Sequence, residues 1–456
     1  MKLLCKVFVP YWNDHYAEKV SQLLSPTGID SLVSASISLS GSCSDQEDLS
    51  WFSIKSAPLQ WKNSPEISLQ SLLSSQPAST ASVVTRSRKI LLKPTKQQRQ
   101  LLKQWMGVYR WVFNQTVTYK VEAYEAAGKS GSYMRNRKEW KARMLETAPW
   151  INDTPAHTVY GAMMDAEKAY NLMIKSRAKG VVTKLPRCRK KTQRSCYILG
   201  NSVTEKGIYP RKLGLLKSAE PLPNKPSDSR LMFECGKWYL SVPLKVEVQQ
   251  SDNQGFVACD PGVRTFITAV TQDKAVKIGD GSFGRIVRLA HHLDDLISRA
   301  CNAPCRRKKR MLKAAARARR KIRRLVDDLH YQTIGWLLRN HQTVIFPEGN
   351  FTSACNKAKR KIGRKSVRAL LTWAFARFRE RLIHKAQVLG RNVVIINEAY
   401  TSKTANLTGE IVNNLGGRKT ITSGGVKLDR DINAALGILL KPLVDHPVAV
   451  YRNCNC

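Results

Sequence analysis

Apolar residues recur first with a strand period, then with a helix period, then again as strands over residues 86–250. Lys89-Ile-Leu-Leu92 predicts a strand. Pro94-Thr95 then opens a helix from Gln97 to about Lys120. In it Leu101, Leu102, Trp105, Val108 and Val112 fall on one side, and Tyr109, Trp111 and Tyr119 add aromatic surface. Further helices are predicted over 138–146 and 156–176, followed by a basic, loop-like stretch over 179–194. Met232–Gly236 and Trp238–Val242 bracket a Gly-containing hairpin turn. The pattern describes a β-rich platform (86–100 and 186–250) with a helical insertion (101–185) between its halves.

From Gly255 onward strands and helices alternate. Phe256–Cys259 reads as a buried strand, with 265–271 and 275–278 as its hairpin partners. A long helix is predicted from Phe283 to Asn340, broken near Pro304. Thr343–Phe346 and Val393–Ile396 read as further buried strands. Leu370, Ala374, Phe378 and Leu382 make one face of a helix that Gly390 stops, and Ile432–Leu440 is helical. A meander followed by strand–helix alternation is the order expected of a ribonuclease H-like α/β domain, here over residues 251–440 with a tail over 441–456.

Residues 1–85 differ in character. The first sixty carry four basic residues (Lys2, Lys6, Lys19, Lys55) and six acidic ones (Asp14, Glu18, Asp30, Asp45, Glu47, Asp48). This Ser-rich arm is expected to be mostly disordered, with a short helix over 16–24 and an anchor at Trp51 and Phe52. The positive charge therefore lies downstream, in a chain of 456 residues and formal net charge +42. That length allows about three domains, and that charge favours a polyanion as partner over an anionic membrane surface. No run of about eighteen apolar residues could span a bilayer. Met1–Trp12 is interrupted by Lys6 and Pro10, so no secretion signal is read. Eleven cysteines, an odd and scattered set, read as reduced thiols of an intracellular protein.

Against this charge, carboxylates recur at element ends. Asp260 follows a strand and precedes Pro261-Gly262, a sequence that equally suits a plain surface turn. Glu348 leaves a strand between Pro347 and Gly349, and Glu398 ends the next one; either could be the middle acid of a set. Asp429 and Asp431 flank Arg430 ahead of a helix, and an N-cap role accounts for one of them. Such acids suit two magnesium ions that activate water and stabilise the leaving oxygen in phosphodiester hydrolysis. No small-molecule substrate is implied. The densest basic run, Arg306–Arg324, holds twelve Lys or Arg and no acid. Its Arg306, Arg307, Lys308, Lys309, Arg310, Arg317, Arg320 and Arg324 are expected to meet phosphates, while Met311, Leu312, Ala315, Ile322 and Leu325 form an apolar side.

Over residues 86–440 the chain resembles the TnpB nucleases of insertion sequences, and more closely their eukaryotic and viral Fanzor relatives, also called OrfB-type transposases. The resemblance rests on Lys89-Ile-Leu-Leu-Lys-Pro-Thr95 with the Asn114 helix, Val257-Ala-Cys-Asp260-Pro-Gly-Val-Arg-Thr265, Phe346-Pro-Glu348, Tyr400-Thr-Ser-Lys-Thr404 and Asp429-Arg-Asp-Ile-Asn-Ala-Ala435. Ser50-Trp-Phe52 looks like the viral and eukaryotic branch. What the resemblance implies is an RNA-guided DNA endonuclease with a RuvC-like site, guide RNA and DNA target as partners, and a nuclear location in a eukaryotic or virus-infected eukaryotic host. Asp260 and Asp431 carry over as metal ligands. Aligned on its aromatic, Phe346-Pro-Glu348 puts Pro347 where the prokaryotic glutamate stands. The Fanzor-type glutamate before Tyr-Thr-Ser is Glu398, which is favoured slightly over Glu348. The family's two Cys-x-x-Cys pairs read here Ala405, Thr408, Ile421 and Gly424, none able to ligate zinc, so the insertion over 404–427 is a degenerate zinc ribbon. A decayed copy, and a transposase-like protein that binds nucleic acid without cutting it, are the alternatives.

Overall fold

The computed structural model describes residues 16–40, 52–62, 82–127, 132–191, 194–249, 254–349, 355, 363–397, 399–413, 415, 417–444 and 449–451. The chain forms two compact units, Thr85–Val246 and a larger one made of Met1–Val84 with Glu247–Cys456. The described residues of the N-terminal arm are folded. Residues 16–23 are helical, α1 spans Pro26–Ser40, and β1 spans Ile54–Pro58. Tyr16, Val20, Leu23, Leu32, Ala35 and Leu39 are buried, so tertiary contacts offset the ordering entropy that serine-rich composition leaves uncompensated. Phe52 packs against the core; Trp51 lies outside the described residues.

In the smaller unit, β2 (Val83–Leu92) leads into α2 (Lys96–Ala127). Thr95 and Gln98 form a reciprocal capping box, Gln98 N–H to Thr95 Oγ1 at 3.3 Å and Thr95 N–H to Gln98 Oε1 at 2.9 Å. Helices α3 (Tyr133–Thr147) and α4 (Ala156–Ala178) follow, then β3 (Ser195–Ile198), β4 (Ser229–Glu234) and β5 (Lys237–Glu247). The sheet order is β2-β5-β4-β3. Cys235 and Gly236, at φ 45° and 80°, make the tight β4–β5 turn, which needs positive φ at both central residues. Helices and sheet share one core that includes Trp105, Tyr109, Met144, Ala162, Leu231 and Leu240, not a separate core for the insertion. Asn114 fixes the basic loop, accepting from the Arg189 amide at 2.7 Å, while the Arg189 guanidinium pairs with buried Asp165 at 3.0 Å.

The larger unit is built on β6 (Phe256–Pro261), β7 (Ile267–Thr271) and β8 (Lys274–Ile278), helices α5 (Phe283–Cys301) and α6 (Cys305–Asn340), and β9 (Thr343–Pro347). Then come α7 (Arg364–Trp373), α8 (Phe375–Val388) and β10 (Asn392–Ile396). Two small hairpins, β11 (Thr404–Ala405) with β12 (Glu410–Ile411) and β13 (Thr420–Ser423) with β14 (Val426–Asp429), precede α9 (Arg430–Val444) and β15 (Ala449–Tyr451). The seven-stranded sheet runs β1-β8-β7-β6-β9-β10-β15, with only β6/β9 and β9/β10 parallel. Its two faces bury alternate residues. Phe256, Ala258, Val270, Ala275, Ile345, Val394 and Ile396 cluster with α9 and the arm. Val257, Cys259, Ala269, Val276, Val344 and Phe346 cluster with α5, α6, α7 and α8. The long helix breaks at Pro304 as expected, but the Leu370–Leu382 helix is two helices, because Ala374 adopts the left-handed conformation at φ 52°.

His330 ties α6 into the second face. It stacks on Phe266, with ring centroids 5.4 Å apart, and contacts the Trp373 carbonyl through Nε2 at 2.8 Å. Arg381 can only donate, so its N–H meets an unprotonated His330 Nδ1 at 3.2 Å and the ring is neutral. Burial holds its pKa down at about 4, against the usual 6.5, helped by the Arg381 charge. Between those values the unfolded chain binds a proton that the folded chain does not. Stability from this group is complete above pH 6.5 and is lost as pH falls toward 4. The stability advantage of the natural chain over His330→Phe is expected to shrink by about 2 kcal/mol from pH 7 to pH 5. Urea unfolding at both pH values checks this; a pH-independent difference contradicts it.

Candidate active site at the carboxyl ends of parallel strands

Strands β6, β9 and β10 run parallel, so their carboxyl ends open onto one edge, the usual ligand-binding edge of such sheets. Asp260 stands near the end of β6, and Pro347 and Ile396 pair at the ends of the other two. Gly262 closes the turn after Asp260; a Cβ there would lie 2.7 Å from the Thr265 carbonyl. Asp260 pairs with Thr268 of β7, and Thr268 with Lys277 of β8. Directly opposed residues share a face, and Asp260 has the strand parity of Phe256 and Ala258. All three side chains therefore lie on the α9 face, Asp260 and Lys277 about 10 Å apart across two strand spacings.

Helix α9 packs across β6 and β7 on that face. Its two aspartates have different tasks. Asp429 is the cap: its Oδ1 accepts the amides of Asp431 at 2.9 Å and Ile432 at 3.1 Å. Its Oδ2 accepts from Lys277 at 2.8 Å, both side chains buried. This pair brings the start of α9 to the rung of Asp260. Asp431 is left for other chemistry. Burial first, and then the neighbouring Asp429 charge, raise its pKa; Lys277, Arg430 and Arg264 oppose the shift without cancelling it. A carboxylate held at such a cost by a partly buried site is a functional candidate.

Asn433 explains more of the Asp-Arg-Asp-Ile-Asn-Ala-Ala motif. Fully buried, it donates to the Thr404 carbonyl at 2.7 Å and accepts the Asn406 amide at 3.1 Å, tying α9 to the loop after β10. Gly437 permits the close approach, since a Cβ would sit 2.8 Å from Asn406 Nδ2.

Glu348 is exposed and has the parity of Val344 and Phe346, on the face opposite α9; its amide donates to the Ile396 carbonyl at 2.8 Å. Glu398 lies outside the described residues. Among the described residues no group of three or more His, Cys, Asp or Glu could hold a metal ion. Asp260 and Asp431 supply two hard oxygen donors, the type magnesium prefers. The N-cap role expected of one of the two aspartates falls to Asp429; Lys277 was not read from sequence, because a strand lysine ordinarily marks a solvent-facing position.

The basic run lies in α6, which forms a hairpin with α5 through Leu293, Leu296, Ala315 and Ala318. Ile322 packs against it, whereas Leu312 of the expected apolar side is 45% exposed. Arg306, Arg307, Lys308, Lys309, Arg310, Arg317 and Arg324 are exposed and Arg320 is partly buried. At the elbow a cleft of about 890 Å³ is lined by Arg299, Arg306, Arg307, Arg310, Lys313 and Arg317. Six cations around one concavity would bind phosphates strongly.

In the paired hairpins, Ala405 and Ile421 are buried with Leu415 and Leu428. Gly424 lies against Thr408, whose Cγ2 would meet a Cβ at 3.3 Å, and the Leu407 amide donates to Ser423 Oγ at 3.0 Å. An apolar cluster thus joins the two hairpins.

The division of labour at α9 has a stability signature. Asp429→Ala removes the cap and strands buried Lys277, costing about 3–5 kcal/mol. Asp431→Asn relieves an unfavourable charge and is expected to leave stability unchanged or raised. Denaturant midpoints decide; equal losses for both would contradict this assignment.

Two family descriptions match the chain. The Cas12f1-like TNB domain covers residues 375–438, which hold α8, β10, both hairpins and the start of α9. The OrfB helix-turn-helix domain covers residues 82–129, here a strand followed by one long helix. A TnpB-like protein of Acanthamoeba polyphaga mimivirus is 25% identical over 385 residues, 78% of this chain and 74% of that protein. The Escherichia coli protein named "Putative RNA-guided DNA endonuclease InsQ" is 24% identical over 343 residues, 70% of this chain and 82% of that protein. The solved Cas12f1–sgRNA–target DNA complex aligns with a TM-score of 0.44 and 10% identity, over 79% of this chain and 99% of that one. Both domain descriptions, and similarity running along most of its length, liken the chain to TnpB-like proteins of the OrfB type.

Proposed function

We propose that the larger unit is a ribonuclease H-like, RuvC-type nuclease domain, and that the protein cleaves DNA phosphodiesters at a site selected by a bound RNA. One observation carries this: Asp260 and the Asp429–Asp431 turn share one face and one end of the sheet through the Asp260–Thr268–Lys277 rung. The names of the relatives support the substrate class, since they include TnpB-like proteins and RNA-guided DNA endonucleases.

Asp260 and Asp431 would hold divalent cations, with Glu398, which follows β10 in the sequence, as the third acid. Magnesium bound there supplies an activated water and stabilises the leaving oxygen. The chain's own residues do the rest. Asp429 sets the helix that carries Asp431, Asn433 fixes the following loop, and the α5–α6 cations hold the phosphate backbone. The smaller unit, with its pinned basic loop, would hold the RNA through Lys and Arg on phosphates. The hairpins over 404–429 would be joined by their apolar cluster in place of zinc.

Purified protein is expected to carry RNA with a constant part and a variable end. Loaded with that RNA, it should cut matching DNA only with magnesium. Asp260→Ala and Asp431→Ala should each lower the rate at least about 100-fold while RNA remains bound. Magnesium-dependent cleavage that survives both changes would overturn the assignment; RNA binding without any cleavage would leave a non-cutting nucleic-acid binder. Changing Arg306, Arg307 and Arg310 together to Gln should reduce the salt-dependence slope of DNA binding by about 2.7. An unchanged slope would remove the elbow from the interface.

A further inference from the structure

The N-terminal arm reaches the α9 turn through one buried side chain. The Lys277 ammonium has three donors. One meets Asp429 Oδ2 at 2.8 Å, and another meets the carbonyl of Leu39 at 3.1 Å. Leu39 is in the last turn of α1 (Pro26–Ser40), where carbonyls have no donor within their own helix. The side chains of Lys277 and Asp429 are only 7% and 5% exposed, so water does little to satisfy either. Helix α1 also packs on β1, β8 and β14, and Leu32, Ala35 and Leu39 bury with Ile421, Leu428 and Ile432. A continuous series thus runs from the Leu39 carbonyl to Lys277, to Asp429, and to the amides of Asp431 and Ile432.

We propose that Lys277 is a positioning residue for Asp431, and that the arm acts in cis as part of the site by supplying the second acceptor that holds the ammonium in place. The physical reason is satisfaction of buried groups. With both acceptors present the ammonium is fixed over the rung, and Asp429 is held where its other oxygen caps α9. With the arm removed, water enters, the pair loosens, and the first turn of α9 frays. The consequence for cation binding rests on the nuclease reading above; the arm-to-helix connection does not.

Two readouts keep these separate. Hydrogen exchange of the segment over 429–436 reports the helix start, and loss of the free manganese resonance signal on titration reports cation binding. Lys277→Met keeps the apolar stem and removes the charge. It is expected to speed exchange of the Asp431 and Ile432 amides at least about ten-fold and to weaken manganese binding about 10- to 100-fold. Lys277→Arg should restore most of both. A chain lacking residues 1–40 should reproduce the Lys277→Met effects, and the two changes combined should add little, because they remove one shared interaction. If the shortened chain does not fold, Lys277→Met and Lys277→Arg decide. Unchanged exchange in Lys277→Met, or no rescue by Arg, overturns the proposal. A natural chain that takes up no manganese sinks the nuclease reading, whereas the exchange result still tests the connection.

Discussion

A buried carboxylate must find donors, and Asp429 finds three: two backbone amides at the start of α9 and the Lys277 ammonium. That requirement organises the larger unit. It fixes the N-terminus of a helix over a chosen strand rung and at a chosen end of the sheet. It also leaves the next acid, Asp431, in a partly buried place where its charge is disfavoured by burial and by Asp429. A fold optimised for stability alone would not retain such a group. The sheet supplies the complementary half by placing Asp260 on the same rung and face.

Much of this was legible in the sequence where local chemistry decides the outcome. Pro304 breaks the long helix because proline cannot continue it. Pro94-Thr95 opens α2, and the Gly-containing turn at Cys235-Gly236 joins β4 and β5. The carboxylates at strand and helix ends were visible as candidates. What stayed hidden depends on long-range contacts. Nothing near Ala374 marks a left-handed break, since alanine ordinarily continues a helix. Lys277 looks like a solvated strand lysine until the chain over 26–40 and 429 covers it. The arm looks disordered by composition because its apolar residues are widely spaced and find partners only in the sheet.

The middle acid is Glu348 or Glu398 by pattern. Both follow strands, and spacing alone cannot separate them. Glu348 shares strand parity with Val344 and Phe346, which pack on the face away from α9, while Glu398 lies outside the described residues. Away from the acids the positive charge is concentrated. The α5–α6 elbow gathers six cations around one cleft, and the smaller unit spends Arg189 on an internal anchor to Asp165 so that its neighbours in the loop stay displayed.

The central claim is convergence of distant acids on one face. Iron-directed cleavage tests it most directly: ferrous ion replaces magnesium, ascorbate and peroxide generate short-lived radicals, and the cut peptides are mapped. The account predicts cuts grouped around residues 260, 398 and 431, all lost together in Asp260→Asn. Cuts near only one of these segments, or a pattern unchanged by Asp260→Asn, would contradict it.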